Sequence, residues 1–364
     1  MVERNEMDHL SALVYPITTK AQRMLFYQRV LSHPAKSTLL KALRDFNPFE
    51  TWPDLNRELV TKYFQLTEET VFGRLDRTRK NYQSTKPSEI IHSAPDNRAY
   101  PNTTKNPRCW TKTHMISTDI SGIIQKKYYF LILFFQDLNY IMFEWLGTSK
   151  SGATYRAAYL RVLERYEATP GGKDNTPHFE LLDNAADTLT RDMLVKRKIS
   201  YQLVPANNHR RNPTERAMRT GENHLTCTFQ GADKDFPDGQ EHLLIPQAED
   251  TLNLLRECTI LPGKSAWYGL HQRDYNWDAA PMAPGGCPVI VFEGPDQRRL
   301  MTPHGQKGFY LAPAHQHYRC YKCLVTSTNR TRITDTVAWM PYALPSARRT
   351  TTSGSLPRPH RPSA

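Results

Sequence analysis

The sequence has few cysteines, and their spacing forms no recognisable framework. The six cysteines lie at positions 109, 227, 258, 287, 320 and 323, which is not the pattern of a disulfide-stabilised domain. Residues 1–16 carry charges where a secretion signal would need an apolar core. We therefore expect no secretion signal and a compartment in which thiols stay reduced.

The sequence also lacks an apolar run long enough to cross a membrane. Its longest run, Tyr128–Phe135, has eight residues, and the polar residues of 136–139 separate it from a second stretch, Tyr140–Leu146. A spanning helix needs about 20 apolar residues. Two short apolar runs with a polar break predict a β-hairpin instead, and no membrane partner is expected.

Acidic residues are outnumbered by basic ones. Asp and Glu total 36 against 48 Lys and Arg, which gives a net charge of +12 and a pI near 9.4. This excess favours a polyanionic partner, with nucleic acid ahead of membrane. A length of 364 residues with 39% hydrophobic residues predicts a folded chain of two or three domains.

The first third of the chain predicts a small helical domain and a linker. Apolar residues repeat at helical spacing over Ala21–Leu31, Leu39–Phe46 and Leu55–Phe64, so residues 1–82 are expected to be helical. In this part His33 stands alone and no cysteine precedes Cys109, so a local zinc site is not expected. Ser, Thr, Pro, Asn and Lys dominate residues 83–113, which is typical of a linker.

Residues 114–258 alternate between short apolar strands and amphipathic helices, which predicts an α/β core. Asp119 follows the first strand, and Asp183 follows a later strand, His178–Leu182. Helices are expected over Ser149–Ala168, from about Ala185 to Lys196, from Pro213, and from Leu243 to Arg256. Gly221 is expected to interrupt the apolar stripe of the helix from Pro213, at a cost of about 1 kcal/mol.

Residues 279–341 contain short strands separated by turns, which predicts a small β-barrel-like module. The expected strands are Pro288–Phe292, Gly308–Leu311, Tyr318–Val325 and Ile333–Trp339. The module contains aromatic and basic residues close together in sequence, at Tyr310, Tyr318, Arg319, Tyr321 and Lys322. Such residues suit either nucleic-acid contact or ordinary packing. Residues 342–364, with arginines and no acid, predict a disordered basic tail.

Four residues of this module invite a zinc interpretation: His315, His317, Cys320 and Cys323. On a strand, however, residues 320 and 323 would point to opposite faces. A single Cys-x-x-Cys pair is a weak signal, and zinc is not expected.

The stretch 199–229 carries the most specific signals. A short strand is broken by Pro205, after which Asn212 can cap a helix that begins with Pro213. Glu215 lies three residues beyond Asn212, as in a capping box. It also shares a helix face with arginines four residues away on either side, Arg211 and Arg219. The face therefore fits either an ion-pair ladder or a metal-binding acid beside a phosphate chain.

This stretch resembles the end of the integrase core in copia-like retrotransposon polyproteins. The similarity is carried by Gln-Leu-Val-Pro at 202–205, His-Arg-Arg-Asn at 209–212, Glu-Arg-Ala at 215–217 and Arg-Thr at 219–220. It continues in the segment Ile245–Arg256 and in His-Tyr-Arg-Cys-Tyr at 317–321, and covers roughly residues 20–340. The chain has neither a Tyr-x-Asp-Asp polymerase signature nor an Asp-Ser/Thr-Gly protease signature.

The resemblance implies an α/β fold with an RNase H-like core, a mixed five-stranded sheet with helices, over residues 114–258. It implies a metal-dependent DDE site in which Asp119, Asp183 and Glu215 are both the catalytic and the metal-binding residues. Hard oxygen ligands select Mg²⁺ or Mn²⁺, and two such ions would activate a water or a 3′-hydroxyl for polynucleotidyl transfer.

The resemblance also implies partners and a location. The expected DNA-binding residues are His209, Arg210, Arg211, Arg216 and Arg219, and the expected partners are element ends, target DNA and further copies of the chain. The expected location is the nucleus.

Other interpretations remain open. Asp119 also fits the start of a turn, and Asp183 also fits an N-cap for the following helix. A ribonuclease H would use an acid on the first core helix, where Glu164 and Glu167 are available. A catalytically inactive transposon relic that only binds nucleic acid or a protein partner is the third possibility.

Overall fold

The structure is a computed structural model that describes residues 19–75, 115–120, 128–182, 187–203 and 213–340. For Leu203, residues 213–215 and Gln297 it describes the backbone alone. The predicted linker, 83–113, and the predicted tail, 342–364, lie outside the described residues. The domain boundaries drawn from the sequence stay predictions.

The first sheet is built from five strands with crossover connections. Its strands are β1 (Met115–Ile120), β2 (Tyr129–Phe135), β3 (Tyr140–Gly147), β4 (Phe179–Leu182) and β5 (Ser200–Leu203). They lie in the order β3-β2-β1-β4-β5. The first three are antiparallel, while β4 is parallel to both β1 and β5. This mixed sheet has the RNase H-like strand order, which confirms the predicted α/β fold class, and β2 with β3 is the predicted hairpin.

Helices cover the two faces of this sheet. In chain order the helices of the described residues are α1 (Lys20–Val30), α2 (Lys36–Asp45), α3 (Arg57–Tyr63), α4 (Glu68–Arg74), α5 (Gly152–Glu167), α6 (Pro170–Asp174), α7 (Thr188–Lys196), α8 (Pro213–Gln230), α9 (Ile245–Leu254) and α10 (Ala266–His271). Side chains of α5 and α7 pack on one face, around Ile116 and Leu133. Side chains of α8 and α9 pack on the other, around Ile132 and Phe143.

The second sheet follows α10 and is antiparallel throughout. Its strands are β6 (Pro288–Phe292), β7 (Gly305–Pro313), β8 (Tyr321–Val325), β9 (Arg330–Thr334) and β10 (Val337–Trp339), in the order β10-β6-β7-β8-β9. The prediction of one strand over Ile333–Trp339 is wrong. A turn at Thr334–Thr336, in which the Thr336 amide donates to the Thr334 hydroxyl at 3.3 Å, ends β9, which pairs with β8, and β10 then pairs with β6 at the other end of the strand order.

The N-terminal helices share a hydrophobic core with the second sheet. Tyr27 of α1 packs against Trp52 and Trp277, and the two tryptophan rings lie 4.2 Å apart between centroids. The same buried cluster reaches Val289 of β6. The three predicted helices are present as α1, α2 and α3, and α4 was not predicted because only the Thr67 cap marks its start in a polar stretch.

Helix α9 is buried on all sides although it contains several polar residues. Asn253 and Glu249 bond the open edge of β3, where the Ile141 amide donates to Asn253 Oδ1 at 2.9 Å and the Phe143 amide donates to Glu249 Oε2 at 2.8 Å. Asn253 Nδ2 also donates to the Ile141 carbonyl at 2.8 Å. The helix therefore closes a strand edge that would otherwise have unpaired backbone groups.

The other polar residues of α9 bond different parts of the molecule. Gln247 Nε2 donates to the Ala283 carbonyl at 2.7 Å and lies 3.3 Å from the Val30 carbonyl of α1. Asp250 Oδ2 lies 2.7 Å from His315 Nε2, between β7 and β8. Although burial opposes both shifts, this pairing lowers the pKa of Asp250 and raises the pKa of His315. The helix thus joins the core to the N-terminal helices and to the second sheet.

The expectation that Gly221 weakens its helix needs correction. A Cβ at Gly221 would lie 2.7 Å from Cε1 of Phe143, so the missing side chain lets α8 approach the sheet closely. The loss of helix propensity is exchanged for packing against β3.

Two further expectations concern membranes and thiols. Among the helices of the described residues, none combines the length and the apolar composition that crossing a bilayer needs. The cysteines of the described ranges, from Cys227 to Cys323, are free thiols.

We predict that Asn253→Ala lowers the free energy of unfolding by about 2–5 kcal/mol, because it leaves the Ile141 amide and carbonyl buried without partners. Urea denaturation followed by tryptophan fluorescence measures the loss. Asn56→Ala is the matched control, since Asn56 caps α3 at the surface and its loss costs about 1 kcal/mol. Equal losses in the two variants would contradict the role of Asn253 at the strand edge.

Candidate active site

The two faces of β1 carry different chemistry near its end. Asp119 is half-buried and pairs in register with Ile132 of β2, whose side chain packs with Ala217 and Leu225 of α8. Because paired residues share a face, Asp119 lies on the α8 side of the sheet. Its Oδ1 accepts the Ile120 amide at 2.7 Å. The carboxylate therefore stands at a strand end, on the face that α8 covers.

The second and third predicted acids are only partly described. Strand β4, parallel to β1 with Ser117 opposite Leu181, ends at Leu182. Asp183 is the next residue and lies outside the described residues. Glu215 lies in the first turn of α8, which packs against β1 and β2; its side chain is outside the description. The structure thus brings the helix that carries Glu215 to the Asp119 face, and convergence of all three carboxylates stays a prediction.

Of the five predicted DNA-binding residues, two have described side chains. Arg216 and Arg219 are exposed on α8. His209, Arg210 and Arg211 lie outside the described residues.

The interpretation of Asp183 as the cap of the next helix is wrong, because α7 begins at Thr188 and Asp187 caps it by accepting the Thr190 amide at 2.8 Å.

The opposite face of β1 holds a buried carboxyl group that the sequence analysis did not identify as a site. Glu180 of β4 accepts the Thr118 hydroxyl at 2.7 Å on Oε1 and the Tyr159 hydroxyl at 2.7 Å on Oε2. The Tyr155 hydroxyl lies 3.0 Å from the Thr118 hydroxyl. Burial raises the pKa of Glu180 to about 7, against the opposing effect of these hydrogen bonds. A titratable network thus lies on the face of the sheet opposite Asp119.

A signal for this network was present in the sequence. Glu180 and Leu182 alternate on one face of a short strand, and Leu182 is buried. Tyr155 and Tyr159 are four residues apart on α5 and so share a face of that helix. An acid at an inward strand position, opposite a helix with phenolic hydroxyls, is the pattern of a buried hydrogen-bonded carboxyl group.

The acids of the ribonuclease H interpretation are placed elsewhere. Glu164 is exposed on α5, and Glu167 forms an ion pair with Arg197 at 3.5 Å. Since α5 covers the face of the sheet opposite Asp119, neither acid adjoins that carboxylate across the α8 face. The geometry disfavours a site built from the first core helix.

Two of the four residues of the zinc interpretation have separate positions in the fold. His315 is bonded to Asp250, and Cys323 is buried in the core of the second sheet. Within the described ranges, no three His, Cys, Asp or Glu side chains are arranged to hold a metal ion. Of the tyrosines considered for nucleic-acid contact, Tyr310 is buried, Tyr321 is half-buried and Tyr318 is exposed, so Tyr318 is the most accessible for stacking.

We predict that Glu180→Gln changes how stability depends on pH. A carboxyl group whose folded pKa is raised from 4.5 to about 7 stabilises the fold below pH 4.5, and this contribution is lost as pH rises toward 7. Over that window the variant should gain up to about 3 kcal/mol relative to the native chain. Urea denaturation at pH 4.5, 6 and 7.5 measures the difference, with exposed Glu164→Gln as the control. A constant difference across these pH values would contradict the buried titration.

The chain is similar to solved integrase structures at low sequence identity and low TM-score. No family model matches the chain, and no curated protein matches it. Among solved structures, it is similar to the simian T-cell lymphotropic virus intasome in complex with a PP2A regulatory subunit, at 15% identity and a TM-score of 0.36, over 64% of this chain and 77% of that one.

It is similar to the HTLV-2 integrase catalytic core domain in complex with magnesium, at 16% identity and a TM-score of 0.33, over 44% of this chain and 97% of that one. It is also similar to the BIV integrase catalytic core domain, at 13% identity and a TM-score of 0.27, over 39% and 80% of the respective chains. The assignment of an RNase H-like fold depends on the strand order and not on these values.

Proposed function

We propose that the chain is an integrase of the copia-like retrotransposon type, which joins element DNA to target DNA by polynucleotidyl transfer. The observation that carries the proposal is the position of Asp119 on β1, on the face covered by the helix whose first turn contains Glu215. Asp183 directly follows β4, the parallel neighbour of β1. This order of acids on these elements is the one that the sequence resemblance implies.

Each acid has a defined part in the proposal. Asp119, Asp183 and Glu215 together would supply the oxygen ligands of the site. The described carboxylate, Asp119, fits Mg²⁺ or Mn²⁺ in donor type, since both prefer oxygen ligands. When bound, such ions would help to activate a water or a 3′-hydroxyl and stabilise the leaving oxygen. The chain itself orients these ligands from a strand end and a helix, which are rigid elements.

The basic residues of the same region would hold the DNA backbone. Arg216 and Arg219 are exposed on α8, on the helix that begins next to the proposed site. With His209, Arg210 and Arg211 they would contact phosphates of element ends and target DNA. The proposal includes action in the nucleus, where target DNA lies, and assembly of several copies on the DNA.

We predict that Asp119→Asn abolishes Mg²⁺-dependent nicking and strand transfer. Mutations of groups that only orient metal ligands cost about 10–100-fold, so loss of a ligand should reduce activity by more than about 100-fold. The assay follows a labelled duplex carrying an element end, with Mg²⁺ and with Mn²⁺. Asp192→Asn, at an exposed position of α7, is the matched control and should keep full activity.

Two results would contradict the proposal. If Asp119→Asn retains metal-dependent cleavage, the acid site is wrong. If the native chain binds the duplex but cleaves nothing in either metal, the inactive-relic interpretation replaces it. RNA cleavage in RNA–DNA hybrids without strand transfer would favour a ribonuclease H.

A further inference from the structure

A cleft of about 670 Å³ lies between the N-terminal helices and the integrase-like core. One wall comes from the region of α2, a second from the middle of α8, and a third from the end of α9 and the residues after it. Its lining includes Lys41, Arg74, Thr220, Asn223, Arg256 and Glu257. The cleft is thus formed by segments far apart in the sequence.

The charged residues of the lining are mostly cations. The lining contains three cations, Lys41, Arg74 and Arg256, and one carboxylate, Glu257. His224 also lines the cleft, but burial lowers its pKa to about 3, so it is neutral at physiological pH. The cleft therefore carries a net positive charge, which favours an anionic ligand.

The two arginines are held by neutral groups. Arg74 Nη1 donates to the His33 carbonyl at 2.5 Å and lies 2.8 Å from Cys227 Sγ. Arg256 Nε donates to the Asn139 carbonyl at 2.8 Å, and its Nη2 donates to the side chain of the same residue. Among the described residues, no carboxylate forms an ion pair with Lys41, Arg74 or Arg256. Their charges are available to a ligand.

Arg256 is the cation for which a ligand would matter most. Burial lowers its pKa to about 10, because removing a guanidinium from water without a counter-ion disfavours the charged form. The guanidinium also lies 5.6 Å from the ring centroid of Phe134. A buried charge of this kind is normally compensated by an opposite charge, and here a bound anion would provide it.

The cleft lies further along the helix that contains Glu215. Thr220 and Asn223 belong to α8, and Asn223 is about 12 Å beyond Glu215 at 1.5 Å per residue. The exposed residues Arg216 and Arg219 lie between the two positions. Polar and basic side chains thus extend from the proposed acid site to the mouth of the cleft.

We propose that this cleft binds a phosphodiester segment of the nucleic acid, about 12 Å along α8 from the proposed site of cleavage. The inference rests on the proposed function and adds a second contact region to it. Lys41 and Arg256 would neutralise phosphates, while the Thr220 hydroxyl and the Asn223 side-chain amide would donate hydrogen bonds to phosphate and sugar oxygens. A free polyphosphate has the same chemistry and is the alternative source of the ligand.

The test measures binding of a fluorescent duplex to the full chain by anisotropy, as a function of salt. Lys41→Gln should weaken binding and reduce the slope of log affinity against log salt by about 0.9, which is one phosphate contact. Asn223→Asp, nearly isosteric, places a carboxylate in the cleft and should weaken binding further. Lys196→Gln is the control, because Lys196 is exposed on α7, on the opposite face of the sheet.

The outcomes separate this inference from the proposed function. If Lys41→Gln and Asn223→Asp keep native affinity and slope while Asp119→Asn abolishes cleavage, the cleft inference is wrong and the function stands. If tripolyphosphate raises the melting temperature of the native chain but not of Asn223→Asp, and the DNA slope is unchanged, the ligand is a soluble polyphosphate and the DNA inference fails. The cleft inference is supported if Lys41→Gln reduces the salt slope and Lys196→Gln does not.

Discussion

A buried polar group needs a hydrogen-bond partner inside the protein. Helix α9, at the centre of the molecule, carries several such groups. Gln247, Glu249, Thr251 and Asn253 are all buried on this helix. Gln247 bonds α1, Thr251 bonds α8, and Glu249 and Asn253 both bond β3, so the helix cannot shift without leaving several donors and acceptors unpaired. The positions of the N-terminal helices, the edge strand β3 and α8 are therefore linked through one helix. Apolar packing alone would tolerate small displacements that these hydrogen bonds do not.

This constraint extends to the proposed active site through α8. The hydroxyl of Thr251 lies 3.0 Å from Nε2 of His224, and Gly221 lets α8 rest against the ring of Phe143. Both contacts lie beyond the first turn of α8, where Glu215 is found. The first turn is therefore positioned by a helix that is fixed along its length, and a catalytic side chain on such an element is placed more precisely than one on a loop.

The sequence was sufficient to predict most helices and strands, but it did not reveal which other elements they contact. Alternating or continuous apolar runs predicted the hairpin and most helices, because hydrophobic periodicity is local information. The polar residues of α9 could not be assigned, since a helix pattern does not reveal that Asn253 will meet the edge of β3. The effect of Gly221 was misjudged for the same reason. Its missing side chain makes room for the ring of Phe143, which is distant in the sequence. The turn at Thr334–Thr336 was missed because β-branched residues concealed it within a strand-like run.

For the candidate site, the sequence predicted Asp119 and the helix of Glu215, and the structure places these two elements together. It did not predict Glu180, because an acid in a strand is ordinarily assigned to the solvent face. Glu180 pairs in register with Ile116, three residues before Asp119, and its carboxyl group lies on the opposite face of the sheet, where it accepts the Thr118 hydroxyl.

Burial raises the pKa of Glu180 to about 7, so that the group is largely protonated below neutral pH. Hydrogen bonds from Thr118 and Tyr159 hold it in place while they limit the rise of its pKa. The two faces of β1 thus divide their roles. One carries Asp119 on the face that α8 covers, and the other carries Glu180 in the core, where burial favours its protonated form.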